Sequence, residues 1–332
     1  MRHGSSFFML AATLLTVVAC SAKAAECTGG RWALVLHGGY LDYEQEVTPE
    51  HRILLQRLLQ ENGRRLLAGG SALDAVTEAI SAMEDSGLLD AGKGSIVNTE
   101  GFTETDASIM DGATLRSGAV AAMQRVRNPI LAARTVMDRT KHVLLVGNTG
   151  ESSLRTLGVE MIDPATWYQE YVPPPKPVER KHGTVGAAAL DRCGRLAAGT
   201  STGGWPGKLP GRVGDSPIIG ASTYADARVA LSATGVGEYF IKRAATRDIA
   251  MRVEYLRQPL RAAADHVVKT LIGKEDKAEG AVIALGADGE VVVSSNGYGI
   301  LWGSAGAEQA PRVGTREPEP SASESGSRNV QR

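Results

Sequence analysis

Apolar residues along this chain fall in short separated clusters, and their spacing sorts them into strands and helices. Residues 32–36 (WALVL) form a continuous apolar run ending on His37-Gly38-Gly39, which reads as a buried strand entering a glycine turn. Leu73, Val76, Ile80 and Met83 recur instead at helical spacing. Ser71 opens the helix, with Asp74 three residues on as a capping-box partner, and Gly87 follows the end. Small residues predict a second helix over 119–126, and a third runs through 131–137. Residues 143–146 (VLLV) predict another strand.

The second half reads differently. Between 163 and 181 the pattern breaks down, and Pro173-Pro174-Pro175-Lys176-Pro177 excludes both helix and central strand. Directly after it come two strand-like runs, 184–190 (TVGAAAL) and 195–202 (RLAAGTST), joined by the turn Asp191-Arg192-Cys193-Gly194. A second hairpin follows at 281–285 and 290–294, around Gly286-Ala287-Asp288-Gly289. Residues 306–332 are polar and rich in Pro, Ser and Glu, which predicts a disordered tail. A linker that stops abruptly at a strand opening with Thr184 is the most informative feature. Linkers usually join domains, yet these halves flank one set of strands and glycine loops, and neither looks complete alone.

Composition narrows the class. A chain of 332 residues can hold one large domain or two small ones. Its 39 glycines and 5% aromatic content suit tight turns and close backbone packing. With 36 basic against 37 acidic residues and no basic run interleaved with aromatics, nucleic-acid binding has little support. Residues 1–25 read as a secretory signal: Arg2 and His3, an apolar run over 7–18, then small residues. Two cleavage patterns compete there. Ala22-Lys23-Ala24 would start the mature chain at Ala25, whereas Val17-Val18-Ala19-Cys20 resembles a lipoprotein box that would lipidate Cys20. Both imply export, to the periplasm or to a lipid anchor in the cell envelope. An oxidising compartment permits Cys27 and Cys193 to pair, but two cysteines do not define a framework. No Cys/His cluster suggests zinc, and the six histidines are scattered.

Five motifs then occur in order. They are the 106–112 block (DASIMDG), His182-Gly183-Thr184-Val185-Gly186, Ser201-Thr202-Gly203-Gly204, residues 211–217 (GRVGDSP) and Thr234-Gly235-Val236-Gly237-Glu238. With His37-Gly38-Gly39 ahead of them, the span from Trp32 to Ala305 resembles the isoaspartyl peptidase and plant-type asparaginase family, relatives of glycosylasparaginase among the N-terminal-nucleophile hydrolases. The resemblance implies an α+β fold, a four-layer αββα sandwich. It also implies self-cleavage between Gly183 and Thr184, giving an α subunit (26–183) and a β subunit (184–305) that starts with its nucleophile. Relatives pair two processed chains, so a dimer of αβ heterodimers is expected.

The residues make chemical sense of this. A threonine hydroxyl is a weak nucleophile without an adjacent base. As an N-terminus, Thr184 would supply its own α-amine, with a pKa of roughly 7.7–8.0, near working pH. Gly183 suits a close approach at the scissile bond. Hairpin pairing brings Thr202 towards Thr184, where the resemblance makes it the residue that polarises the nucleophile. Thr234 and Gly235 match the family's oxyanion hole, and Val213, Gly214, Val236 and Gly237 line the substrate site by the same match. Arg212 offers a two-pronged donor for an α-carboxylate and Asp215 an acceptor for an α-ammonium. The loop from Met83 to Lys93 resembles one whose backbone carbonyls (Met83, Glu84, Ser86, Leu89, Ala91, Lys93) hold a structural sodium ion; no cofactor is expected for catalysis. This chain departs from the family pattern at Asp90, where Asn is usual, at Gly87, where Pro is common, and at Ser222, where Gly is typical. The expected activity is hydrolysis of β-aspartyl dipeptides and L-asparagine. Glycosylasparaginase activity, or an exported non-catalytic binding protein, are the alternatives.

Overall fold

The computed structural model describes residues 27, 29–41, 47–168 and 183–318. The leader (1–25), the proline-rich run at 173–177 and residues 319–332 lie outside the described residues. The first half contains β1 (Ala33–Leu41), α1 (Pro49–Leu67), α2 (Ala72–Ser86), β2 (Thr105–Asp111), β3 (Ser117–Met123), α3 (Pro129–Arg139), β4 (Leu144–Val146), α4 (Gly147–Thr156) and α5 (Pro164–Trp167). The second contains β5 (Val185–Leu190), β6 (Leu196–Thr202), β7 (Thr223–Ala225), β8 (Val229–Gly235), α6 (Gly237–Arg243), α7 (Ala245–Tyr255) and α8 (Leu260–Asp265). A π-helical segment (His266–Glu275) leads to β9 (Gly280–Gly286), β10 (Val291–Ser295), β11 (Gly299–Gly306) and β12 (Gln309–Gly314).

An eight-stranded sheet runs in the order β12-β11-β1-β5-β6-β2-β3-β4, and a four-stranded sheet in the order β10-β9-β8-β7. Strand alternation divides the core. Leu34 and Leu36 of β1 and Ala187 and Ala189 of β5 join the cluster built with α1, α2 and α3. Val35 and Ala188 point the other way, towards Leu231, Ala233, Ile283 and Leu285 of the smaller sheet and on to Ile249, Ala263 and Val267. The sheets touch through β5, β6 and β1 against β8 and β9, while α7 and α8 pack on the small sheet. The chain is therefore a mixed α/β fold with helices packed on both sheets.

Most predicted elements form. Ser71 Oγ accepts from the Asp74 amide, and Gly87 ends α2 in the left-handed region at φ 67°. Three expectations are corrected. Residues 119–126 begin within β3 rather than a helix, because alanine's helix preference yields to packing between β2 and α3. Gly118 shows how close that packing is: a Cβ there would lie 2.1 Å from the Ala133 carbonyl oxygen. His37-Gly38-Gly39 is not a turn, since β1 continues to Leu41 across a register irregularity between His37 and Tyr40. The expected tail at 306–332 begins instead with the end of β11 and with β12, which pairs Trp302 with Gly314 and Gly303 with Val313.

His37 lies fully buried between the sheets, its Nε2 2.9 Å from Ser232 Oγ. Ser232 Oγ in turn contacts Thr200 Oγ1 at 2.7 Å, which accepts from Thr223 Oγ1 at 2.6 Å. Burial pushes the imidazole down from 6.5 to about 3. The unfolded chain takes up a proton below pH 6.5 that the folded state refuses, so stability present above 6.5 is lost as pH falls towards 3. Chemical denaturation at pH 7 and pH 4.5 should show His37→Gln losing less stability between the two than wild type, by about 1–3 kcal/mol. Equal losses would show that His37 does not set this slope.

Candidate active site

Thr184 sits one residue before β5, and the β5–β6 ladder from Val185↔Ser201 to Leu190↔Leu196 carries it alongside Thr202. Their hydroxyl oxygens are 3.1 Å apart, and both residues are buried. Thr184 Oγ1 also lies 2.5 Å from the Gly183 carbonyl oxygen, the group it would have to attack. Thr202 Oγ1 donates to that same oxygen at 2.8 Å and accepts from the Gly204 amide at 2.9 Å. One consistent proton arrangement therefore runs Gly204 N–H to Thr202, Thr202 O–H to the Gly183 carbonyl, and Thr184 O–H to Thr202. It leaves a lone pair on Thr184 Oγ1.

Close approach explains the glycines. A Cβ on Gly183 would stand 2.1 Å from Asp90 Cβ, and one on Gly203 would stand 2.3 Å from Asp90 Oδ1. Asp90 is itself held, its Oδ1 accepting from the Ile96 amide at 3.1 Å and its carbonyl from the Gly203 amide at 3.1 Å. The Asp90 side chain thus packs against Gly183, directly before Thr184.

Thr234 and Gly235 end β8, which packs against β5 from the other sheet. Thr234 Oγ1 accepts from the Tyr40 amide at 3.4 Å, and the neighbouring Gly39 lies against Thr184, its notional Cβ 3.4 Å from the Thr184 nitrogen. Gly235 has φ 142°, and a Cβ there would meet the Glu279 carbonyl at 2.5 Å. The Val236 amide is already spent on that carbonyl at 3.0 Å.

Arg212 and Asp215 converge on Gly237. A Cβ on Gly237 would lie 2.5 Å from Asp215 Oδ1 and 3.2 Å from Arg212 Nη2. A Cβ on Gly214 would likewise lie 2.7 Å from Arg212 Nη1. Val213 between them is half-buried. Arg212 Nε and Nη2 donate to the two Glu238 carboxylate oxygens, each at 3.0 Å, and Trp205 stacks under the guanidinium at 5.3 Å. Burial raises the Glu238 carboxyl, but the Arg212 guanidinium outweighs this and holds it below its ordinary value. Asp215 is different: burial pushes it from 3.8 up to about 7, and its Oδ2 has no hydrogen-bond partner among the described residues. A buried acceptor without a donor, beside an oriented cation, has the chemistry to receive a group that carries both an ammonium and a carboxylate.

Several supporting residues carry no local signal in the sequence. Glu104 accepts from the Gly211 amide at 3.0 and 3.1 Å and from Asn98 Nδ2 at 3.0 Å. Lys208 is buried and donates to the Glu104 carbonyl at 2.6 Å. Ser108 donates to the Ser216 carbonyl at 2.5 Å, tying the 106–112 block to the loop that carries Arg212. Asp106 pairs with Thr202 across the sheet and accepts from the Ala122 amide at 2.8 Å. Burial raises its carboxyl to about 6, against the pull of Lys208. Among the described residues no group of His, Cys, Asp or Glu side chains is placed to hold a metal.

The sequence profile of the asparaginase family matches residues 30–173 and 169–315. The isoaspartyl peptidase of Salmonella typhimurium (strain LT2) is 39% identical over 301 residues, covering 82% of this chain and 95% of that protein. The isoaspartyl peptidase of Escherichia coli (strain K12) is 38% identical over 305 residues, 83% and 94% of the two chains. A plant-type L-asparaginase of Thermococcus kodakarensis is 41% identical over 240 residues, 66% of this chain and 78% of that one.

The elevated Asp215 gives a pH test. Below pH 7 the free site holds a neutral acid that cannot neutralise an ammonium. Affinity for L-aspartate, measured as a competitive inhibitor, should weaken about tenfold per pH unit below 7. Affinity that stays flat from pH 7 to pH 5 would remove Asp215 from the ammonium site.

Proposed function

The chain belongs to the asparaginase family, and from the contacts of Thr184 we propose that it is a self-processing hydrolase of β-aspartyl dipeptides and L-asparagine. The observation that carries this is one carbonyl, that of Gly183, which accepts from Thr202 Oγ1 and lies within 2.5 Å of Thr184 Oγ1. In the precursor, Thr184 Oγ attacks the Gly183 carbonyl carbon as its proton passes towards Thr202, whose own hydroxyl donates to the developing oxyanion. The C–N bond breaks, the nitrogen takes a proton, and an ester links Gly183 to Thr184 Oγ. Water hydrolyses the ester. The Gly183 carboxylate and a free Thr184 α-amine result.

That amine is then the base. With a substrate seated, the Arg212 fork takes the α-carboxylate and Asp215 the α-ammonium, which leaves the side-chain carbonyl over Thr184 Oγ. The amine removes the hydroxyl proton as Oγ attacks, and Thr234 Oγ and the Gly235 amide face the oxyanion. Such donors are each worth about 10²–10³ in rate. The amine returns the proton to the leaving nitrogen, and water releases aspartate from the acyl-enzyme. Glu238 and Trp205 serve by presetting the guanidinium plane, so less ordering is needed on binding.

The two packed sheets with their outer helices support the four-layer αββα arrangement of the family. The 83–93 loop is compatible with a structural sodium ion. The backbone carbonyls of Met83, Glu84, Ser86, Leu89, Ala91 and Lys93 would make a neutral oxygen set suited to a hard cation. The ion would stiffen the loop that carries Asp90, and no step runs through it. Export, by the soluble or the Cys20-lipidated route, and assembly as a dimer of αβ heterodimers complete the reading.

Purified protein should resolve into chains meeting at Gly183 and Thr184, and Thr184→Ala should stay whole when its N-termini are read by mass spectrometry. A variant that still splits at this bond would point to an external protease.

For the mature enzyme, β-Asp-Leu should be turned over, asparagine more weakly, and α-Asp-Leu not at all, since its α-carboxyl is already an amide and cannot pair with Arg212. Arg212→Ala should process normally yet lose most of kcat/KM, and Arg212→Lys should rescue it poorly. Comparable cleavage of α-Asp-Leu would sink the clamp, and a preference for GlcNAc-linked asparagine would reassign the substrate.

A further inference from the structure

Cleavage before Thr184 would leave two polypeptides, and the cysteines fall on opposite sides of that bond. Cys27 and Cys193 form a disulfide, with α-carbons 5.0 Å apart and 166 residues between them in sequence. We propose that this disulfide is an interchain cross-link of the processed protein, fastening the start of the first chain to the β5–β6 turn of the second. The proposal rests on the self-processing reading above, and concerns what holds the two products together.

Topology shows why a cross-link matters here. The hairpin that carries Thr184 and Thr202 lies in the middle of the large sheet, between β1 and β2 of the first chain. Before cleavage it is continuous with that chain. Afterwards the N-terminal end of β5 is free, and without the disulfide only non-covalent contacts would tie the hairpin to the first chain. The catalytic end is the open end, at 184 and 202. The closed end, at 191–194, is where first-chain groups gather.

Those groups are specific. The buried Asp191 carboxylate accepts from Cys193 N at 2.9 Å and Arg195 N at 3.1 Å, shaping the turn. Its other oxygen accepts from the Ala72 amide at 3.2 Å, at the start of α2 in the first chain. Arg192 Nη1 donates to the Leu67 carbonyl at 2.9 Å and its Nε to the Gly30 carbonyl at 3.3 Å. Gly30 lies so close that a Cβ would stand 2.1 Å from the Arg192 carbonyl oxygen. The disulfide adds a covalent bond at a turn that residues 30–72 already grip, at the far end from the scissile bond. It is placed to leave processing and chemistry alone.

Formation is a two-electron oxidation. The Cys27 and Cys193 thiols lose two protons and two electrons to a disulfide-bonded thiol oxidoreductase of an oxidising compartment, by thiol–disulfide exchange through a mixed disulfide. Cys27 is retained whether the mature chain starts at Cys20 or Ala25. Once the bond is made, unfolding of the cut protein releases one linked species, and the halves find each other at an effective concentration set by the linkage rather than by bulk protein.

The test uses full-length protein exported to an oxidising compartment, with free thiols alkylated before denaturation. Intact mass without reductant should give one species equal to the sum of the two chains; with reductant, two. Cys27→Ser should give two chains under both conditions, with processing and kcat within about twofold of wild type. After denaturation, its recovered activity should fall more steeply with dilution than that of the wild type. Two separate wild-type chains without reductant would overturn the cross-link and leave self-processing standing. A single unsplit chain after reduction, with a Cys27–Cys193 peptide recovered, would overturn self-processing and make the bond intrachain. Equal dilution dependence in the two proteins would overturn the tethering role.

Discussion

Everything at the site depends on the antiparallel register of β5 and β6. Side chains alternate across a strand, so a slip of one residue would turn Thr202 to the opposite face and leave Thr184 without its neighbour. The register is enforced from both sides. Ala187 and Ala189 pack under α2, Ala188 faces the small sheet, and Gly199 accepts Ile80, Val76 and Ile130 where any Cβ would crowd them. Central placement between β1 and β2 means that no edge is free to shift.

On that frame, polar groups are buried at a cost the fold meets elsewhere. Asp215 and Asp106 are carboxyls raised by burial, and Glu84 is pushed up to about 8 by the same cause although Ser201 Oγ donates to it at 2.6 Å. Arg212, by contrast, is held by Glu238 and Trp205 before any ligand arrives. Orientation by the protein rather than by the ligand reduces what binding must spend on ordering side chains. The loop bearing Arg212 is in turn anchored to the sheet region by Glu104 and Lys208.

Glycine makes the close contacts possible. Gly183 against Asp90 and Gly237 between Arg212 and Asp215 are positions where the smallest side chain would collide with a functional group. Both lie in motifs that are legible in the sequence, but the reason for each glycine is a neighbour far away in the chain.

Local chemistry was written in the sequence: the N-cap at Ser71, the hairpin turns, the Thr184 strand start after a proline-rich stretch, and the Arg-x-x-Asp pair. These depend on residues within a few positions of one another, where spacing is enough. Residues 119–126 misled because alanine favours helix in isolation, and only contact with β2 and α3 makes the segment beginning at Ser117 a strand. The glycines after His37 read as a turn because the β11 partner that keeps β1 extended lies over 250 residues away in sequence. The partner that buries Lys208, Glu104, lies 104 residues away, and nothing local pairs Cys27 with Cys193. Sequence alone determined which groups could react; tertiary structure decided which of them meet, because long-range register and burial depend on partners that spacing cannot reveal.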